Sequence, residues 1–248
     1  MILMDDAIAL NTKLDLPRDF SGKCPLVIVI HGFTGHMEER HIVAVSEMLN
    51  DIGCATLRVD MYGHGHSGGE FRNHTLFKWM TNAMTVIDYA RSLDFVTGIY
   101  LCGHSQGGLT VMLAAGLKHE QVKGLIPLSP ATCIPDDARR GHTLGVDYDP
   151  DHLPEEIRSS YGWVLGGNYL RVAQTIHVEE AVDRYPGPVL IVHGSADETI
   201  PLRCAAETAA RYRNAKLAII PGDTHCYDHH LDEAVAAVRA WMLGQLGA

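Results

Sequence analysis

Apolar runs alternate with amphipathic stretches along most of the chain. Residues 26–30 are an uninterrupted aliphatic run, the pattern of a strand buried on both faces. Residues 55–59, 99–102, 124–128, 189–192 and 217–220 repeat that strand-like character. Between them, Ile42, Val45, Leu49 and Ile52 fall on one helical face. Leu76, Trp79, Met80, Ala83, Val86, Ile87 and Ala90 keep the same period, as do Leu231, Ala234, Val235, Val238, Trp241 and Met242. Residues 108–117, rich in Ala, Leu, Val and Met, read as a buried helix. Strands alternating with helices predict an α/β fold, with a mostly parallel central sheet flanked by helices on both faces. Residues 1–24 are expected to hold a short antiparallel edge hairpin.

The rhythm breaks between residues 130 and 187, which lose strand periodicity and gain Pro, Gly and acidic residues. A structureless loop of that length is uncommon in a compact domain, so the segment reads as a subdomain inserted between two core strands. It carries Tyr148, Tyr161, Trp163, Tyr169 and Tyr185. The expectation is one domain over residues 1–248, with a cap insertion at about 130–187 that supplies a pocket.

Composition narrows the picture. With 46% hydrophobic and 20% charged residues, the chain is ordinary for a globular enzyme. Its formal net charge of −10, without a basic cluster, argues against nucleic acid as a partner. No segment approaches the ~20 apolar residues of a membrane span. Residues 1–16 carry Asp5 and Asp6 before the first Lys and lack the pattern of a signal peptide, so a cytoplasmic location is expected. The six cysteines form no C-x-x-C pair, and a disulfide framework is not expected. Cys54 and Cys102 read as small buried hydrophobes, and Cys226 adjoins a histidine of interest.

The chemistry concentrates at Gly103-His104-Ser105-Gln106-Gly107, a G-x-S-x-G pentapeptide between a predicted strand and a predicted helix. In that context the motif is a nucleophile elbow: a strained turn that lifts the Ser105 hydroxyl above the sheet. A serine needs a base within reach and an acid to orient that base. In elbow-type folds the acid and then the histidine follow the serine in the chain. Asp197, after the strand at 189–192, is the best acid, with Glu198 the near alternative. His225, after the strand at 217–220, is the best base. The spacing of His225, Asp228 and His229 suits a metal on a helix start, but no further ligand set supports it, and neither metal nor cofactor is expected. Oxyanion donors are expected from the backbone N–H groups of Gln106 and of Phe33 in the loop His31-Gly32-Phe33-Thr34-Gly35. His31, His104 and His193 flank these loops as structural or pocket-lining residues. The Gly/His-rich loop from Asp60 to Gly69 lacks a dinucleotide fingerprint and reads as a structural rim.

Together these segments resemble the α/β-hydrolase superfamily over essentially the whole chain. His31-Gly32-Phe33-Thr34, Gly103-His104-Ser105-Gln106-Gly107-Gly108 and Tyr148-Asp149-Pro150-Asp151-His152-Leu153-Pro154 are similar to bacterial cinnamoyl (feruloyl) esterases, small enzymes with a cap inserted after the sixth strand. The resemblance implies Ser105 as nucleophile, His225 as base, Asp197 as orienting acid, and Phe33 and Gln106 as oxyanion donors. It implies a small-molecule ester as partner, with the aromatic ring of a hydroxycinnamate held in the cap near Asp137, Trp163 and Tyr169. Asp137 and Tyr169 are the candidates for meeting the ring's phenolic hydroxyl. Leu144 stands where related sequences can carry a polar residue, which leaves the ring-hydroxylation preference open. The rival readings are a short-chain or monoacylglycerol esterase, an acyltransferase on the same residues, and a non-enzymatic ligand-binding scaffold. The sequence is compatible with a homo-oligomer.

Overall fold

The computed structural model describes residues 1–247. The elements run β1 (Ile2–Asp5), β2 (Ile8–Asp15), β3 (Cys24–Ile30), α1 (Arg40–Asp51), β4 (Ala55–Val59), α2 (Leu76–Arg91), β5 (Val96–His104), α3 (Gln106–Leu117), β6 (Val122–Leu128), α4 (Ile134–Arg140), β7 (His142–Thr143), β8 (Val146–Asp147), β9 (Glu156–Arg158), β10 (Val164–Gly166), α5 (Asn168–Gln174), α6 (Val178–Arg184), β11 (Val189–Gly194), α7 (Leu202–Arg211), β12 (Ala215–Ile220) and α8 (Leu231–Leu246).

Eight strands form one sheet in the order β1-β2-β4-β3-β5-β6-β11-β12. β1 pairs with β2, and β2 with β4, antiparallel, so the expected amino-terminal edge hairpin is present. Every other pairing in this sheet is parallel. The aliphatic run of β3 shows why no alternation is visible in the sequence. Leu26, Ile28 and Ile30 pack into one core with residues of α2, α3, α6 and α7, while Val27 and Val29 point the other way into a core with α1 and α8. Both faces are apolar because helices cover both.

β6 and β11 are parallel neighbours, and the chain between them is the segment in which the sequence pattern breaks. It holds α4, the two small hairpins β7–β8 and β9–β10, α5 and α6. Most of it forms a third apolar cluster. Ile134, Ala138, Ile157, Leu165, Tyr169, Leu170 and Ala173 pack there with Leu76 of α2 and Leu109 and Leu113 of α3. α6 belongs to both layers: Ala181 packs in this cluster, while Val182 joins the core under the sheet, and α6 is the crossover helix that leads into β11.

α3 and α6 approach closely at Gly116, where a Cβ would lie 2.7 Å from the Ala181 Cα and 2.9 Å from the Ala181 Cβ. Gly116→Ala should therefore force the helices apart, with a cost on the order of 1–3 kcal/mol despite the better helix propensity of Ala. Urea unfolding checks this; a stability equal to or above wild type would show that the α3–α6 layer yields freely.

Candidate active site

β5 lies near the middle of the sheet and ends at His104, and α3 begins at Gln106. Ser105 alone makes the turn, with φ 54° and ψ −117°, a conformation L residues rarely adopt. Hydrogen bonds hold it there. Its N–H donates to the Leu128 carbonyl at 2.8 Å, and its own carbonyl accepts from the N–H groups of Leu109 at 3.1 Å and Ala131 at 3.0 Å. A Cβ at Gly103 would sit 2.3 Å from the Gly107 carbonyl oxygen, and one at Gly107 would sit 2.3 Å from the His31 oxygen. Only glycine at both positions lets strand and helix meet. Ser105 is 7% exposed and sits at the positive end of α3.

His225 and Asp197 come together from the loops after β12 and β11. The His225 Nδ1–H donates to Asp197 Oδ2 at 2.7 Å. The same oxygen lies 3.2 Å from His193 Nε2, and Asp197 Oδ1 accepts the N–H groups of Thr199 at 2.9 Å and Ile200 at 2.8 Å. Burial opposes ionisation of this carboxyl, yet the hydrogen bonds from His193 and His225 and the positive charge His225 can carry hold it well below the usual carboxylate range. The Asp197 side chain is fully enclosed and paired with His225, whereas Glu198, the other acid the sequence leaves open, is exposed. His104 donates through Nε2 to the His225 carbonyl at 2.9 Å, and the two rings lie 4.7 Å apart. Burial pushes the Cys226 thiol up to about 11, so the neighbour of His225 stays a neutral thiol at physiological pH.

The loop after β3 is a tight turn. The Gly35 N–H donates to the Gly32 carbonyl at 3.1 Å, and Thr34 takes φ 62°. His31 locks its start: Nδ1–H donates to the Gly32 carbonyl at 2.7 Å, and Nε2 accepts the Met61 N–H at 3.0 Å. No protein acceptor among the described residues takes the N–H of Phe33 or of Gln106. The loop from Asp60 to Gly69 is the structural rim the sequence suggests. Asp60 accepts from the Met37 N–H at 2.8 Å, the His66 N–H at 3.0 Å and the Asn11 amide at 2.9 Å. It thereby ties β2, the loop after β3 and its own loop into one unit.

Phe33 meets an aromatic group: Phe71 at 5.3 Å between ring centroids, His74 at 5.4 Å, Trp163 at 5.1 Å and Tyr169 at 6.5 Å. Trp163 and Tyr169 come from the segment between β6 and β11, so that segment packs directly on the loop after β3. Tyr169 is fully buried and donates its hydroxyl to Gln106 Oε1 at 2.7 Å, an interaction not foreseen from sequence. Asp137 lies on α4 with one carboxylate oxygen 2.6 Å from Arg140 Nη2. Leu144 takes φ 53° before Gly145, in the turn between β7 and β8, and packs against the third apolar cluster. Asp228 accepts hydrogen bonds from Arg40 Nη2 at 3.4 Å and from the Thr224 hydroxyl at 2.6 Å. All six cysteines are free thiols, and no group of metal-binding residues is found among the described residues.

A mostly parallel eight-stranded sheet, a strained serine after its fifth strand and an Asp–His pair after its last two define an α/β hydrolase. A family model described as serine aminopeptidase, S33 matches residues 23–146, half of the chain, and the protein belongs to that family. Est1E from Butyrivibrio proteoclasticus, solved with ferulic acid bound, is 58% identical over 100% of both chains, with a TM-score of 0.99. A second Est1E structure gives 56% identity over 100% of this chain and 99% of that one, with a TM-score of 0.95. The human mitochondrial palmitoyl-protein thioesterase ABHD10 is 26% identical over 233 residues, 86% of this chain and 72% of that protein. No helix among the described residues is long and apolar enough to cross a membrane.

The buried histidines make stability pH-dependent. Burial pushes His31 and His74 down to about 3 and His41 down to about 4, from 6.5. In that window the unfolded chain holds protons that the native state refuses. Stability is therefore complete above about pH 6.5 and declines as pH falls toward 3. Urea unfolding across this range should show the decline, and His74→Phe should lower its slope by up to about one proton. An unchanged slope in the variant would show that His74 accepts a proton in the native state.

Proposed function

We propose that this protein is a serine carboxylesterase that hydrolyses esters of hydroxycinnamic acids. The observation that carries this reading is the full-length likeness to Est1E, whose structure holds ferulic acid. The aromatic group of Phe33, Trp163 and Tyr169 beside the Ser105 turn supports it. Residues 130–187, apart from the crossover helix α6, act as the cap. Phe33, Trp163 and Tyr169 form walls for the ring. Asp137 keeps one carboxylate oxygen on Arg140 and offers the other to the phenolic hydroxyl.

In this reading His225 takes the Ser105 proton on Nε2 as Oγ bonds to the ester carbonyl carbon. Asp197, already fixed to Nδ1, holds the imidazole in that tautomer and stabilises the imidazolium that forms. The carbonyl oxygen gains its negative charge against the N–H groups of Phe33 and Gln106, donors of which each is worth about 10²–10³ in rate. The tetrahedral intermediate collapses, the bond to the alcohol oxygen breaks, and His225 delivers the proton to that oxygen. Water then adds to the acyl-enzyme, its proton passing to His225 and back to Ser105, and the acid leaves. The sequence so written needs no metal or organic cofactor. The six free thiols fit action in a reducing compartment such as the cytoplasm.

The test is hydrolysis of methyl ferulate beside a short aliphatic ester by wild type and Ser105→Ala. The expected result is a higher kcat/KM on the ferulate and a loss on the order of 10⁶ in kcat in the variant, with Asp197→Ala losing about 10⁴. Preference for the aliphatic ester would leave the Ser105 chemistry and discard the cinnamoyl cap. Near-wild-type activity of Ser105→Ala would discard the mechanism.

A further inference from the structure

Tyr169 belongs to α5 in the cap, yet its hydroxyl faces the core. Gln106, the residue after the proposed nucleophile, is fully buried. Its side-chain oxygen accepts the Tyr169 hydroxyl at 2.7 Å, and its side-chain nitrogen has no protein partner. The tyrosine is therefore the single hydrogen-bond anchor of that amide among the described residues. The Tyr169 ring also lies 6.5 Å from Phe33, whose N–H is the other proposed oxyanion donor. One cap residue thus touches both residues whose backbones face the developing charge. Neither contact involves the ring of a substrate.

We infer that Tyr169 is a positioning residue for the oxyanion hole, acting through the Gln106 side chain to hold the Gln106 N–H in register with that of Phe33. This goes beyond a role in recognising the ring and rests on the serine-esterase reading, which Ser105→Ala tests separately. The physical basis is that an oxyanion donor works through its position. The peptide that carries this N–H is held on its Ser105 side, where the carbonyl accepts from Leu109 and Ala131. A Gln106 side chain pinned at Oε1 adds the restraint on the other side of that peptide and so limits the remaining tilt of the N–H. The cap thereby contributes to catalysis as well as to specificity, because a cap displaced from α3 takes the Tyr169 hydroxyl with it.

The test compares methyl ferulate with methyl cinnamate, the same ester without the phenolic hydroxyl. Tyr169→Phe removes one oxygen and keeps the ring. The expected result is a loss of about tenfold in kcat on both esters, with KM changed by less than about twofold, smaller than the loss of a whole donor. Gln106→Met, which keeps the backbone N–H and the side-chain length, should show the same loss and the same split. The double variant should lose no more than either single one, because both break one interaction. A loss confined to methyl ferulate, carried by KM, would overturn the inference and leave Tyr169 as a ring-hydroxyl contact. Losses that multiply in the double variant would equally overturn it, since Tyr169 would then act independently of Gln106. Should Tyr169→Phe fold poorly by circular dichroism, Gln106→Met alone decides: unchanged kcat on methyl cinnamate removes the proposed coupling.

Discussion

The site depends on the close approach of β5 and α3 across one serine. Gly103 and Gly107 let backbone meet backbone, and Ser105 takes the positive φ that the junction demands. Such a conformation costs on the order of 1–3 kcal/mol and persists only where the surroundings over-determine it. Here they do. β6 accepts the Ser105 N–H, and the residues that follow β6 and open α3 bind its carbonyl. Thr34 after β3, Ser129 after β6 and Tyr227 after β12 also hold positive φ. Ser129 and Tyr227 are joined hydroxyl to hydroxyl at 3.0 Å, and Tyr227 donates in turn to the Val192 carbonyl at 3.0 Å. The strained residues thus lie in loops at the carboxyl end of the sheet, and Ser129 and Tyr227 brace each other.

Electrostatics follow from the same crowding. The chain has 15 histidines, and those around the site divide by what their rings touch. His31 and His104 spend their N–H groups on the backbone carbonyls of Gly32 and His225, and His193 shares its Nε2–H between the Ile200 carbonyl and Asp197. They act as clamps on the loops that follow the strands, and burial holds His31 and His104 neutral. His225 is the one in this group that gives its Nδ1–H to a carboxylate, and that carboxylate is kept ionised by backbone N–H groups as well as by imidazoles. A base with a fixed tautomer and a permanent countercharge is what a serine hydroxyl requires.

Core strands, flanking helices, the edge hairpin and the loops that carry the proposed triad are all legible in the sequence, for one reason. Each is a local pattern, whether an aliphatic run, a helical period or a glycine turn, placed at the end of a strand that the pattern itself locates. The acid was ambiguous because Asp197 and Glu198 are adjacent. Only the direction of the loop after β11 buries one carboxylate and exposes the other. Inside the insertion the elements are too short to show a period: β7 and β8 have two residues each, and β9 and β10 three each. The sequence shows Tyr169 in an aromatic-rich insert, but its bond to Gln106 spans 63 positions and leaves no local trace. Leu144 illustrates the same limit. A turn with positive φ favours Gly or Asn, and the leucine there packs its side chain against the third apolar cluster.

The division between a catalytic core and a specificity cap is less sharp in this protein than the chain order suggests. Phe33, a proposed oxyanion donor, follows a core strand, but its ring is packed edge-on by Trp163 of the proposed cap. Gln106 opens a core helix, but its side chain ends on Tyr169 of the cap. Packed aromatic groups do not deform continuously, so a displacement of the segment between β6 and β11 reaches both Phe33 and Gln106. On the proposed reading, substitutions in that segment therefore act on the rate of the chemical step as well as on ring recognition. On the proposed reading, substrate preference is accordingly best varied at cap positions such as Asp137, which is held by Arg140, and Leu144 in the β7–β8 turn, rather than at Tyr169.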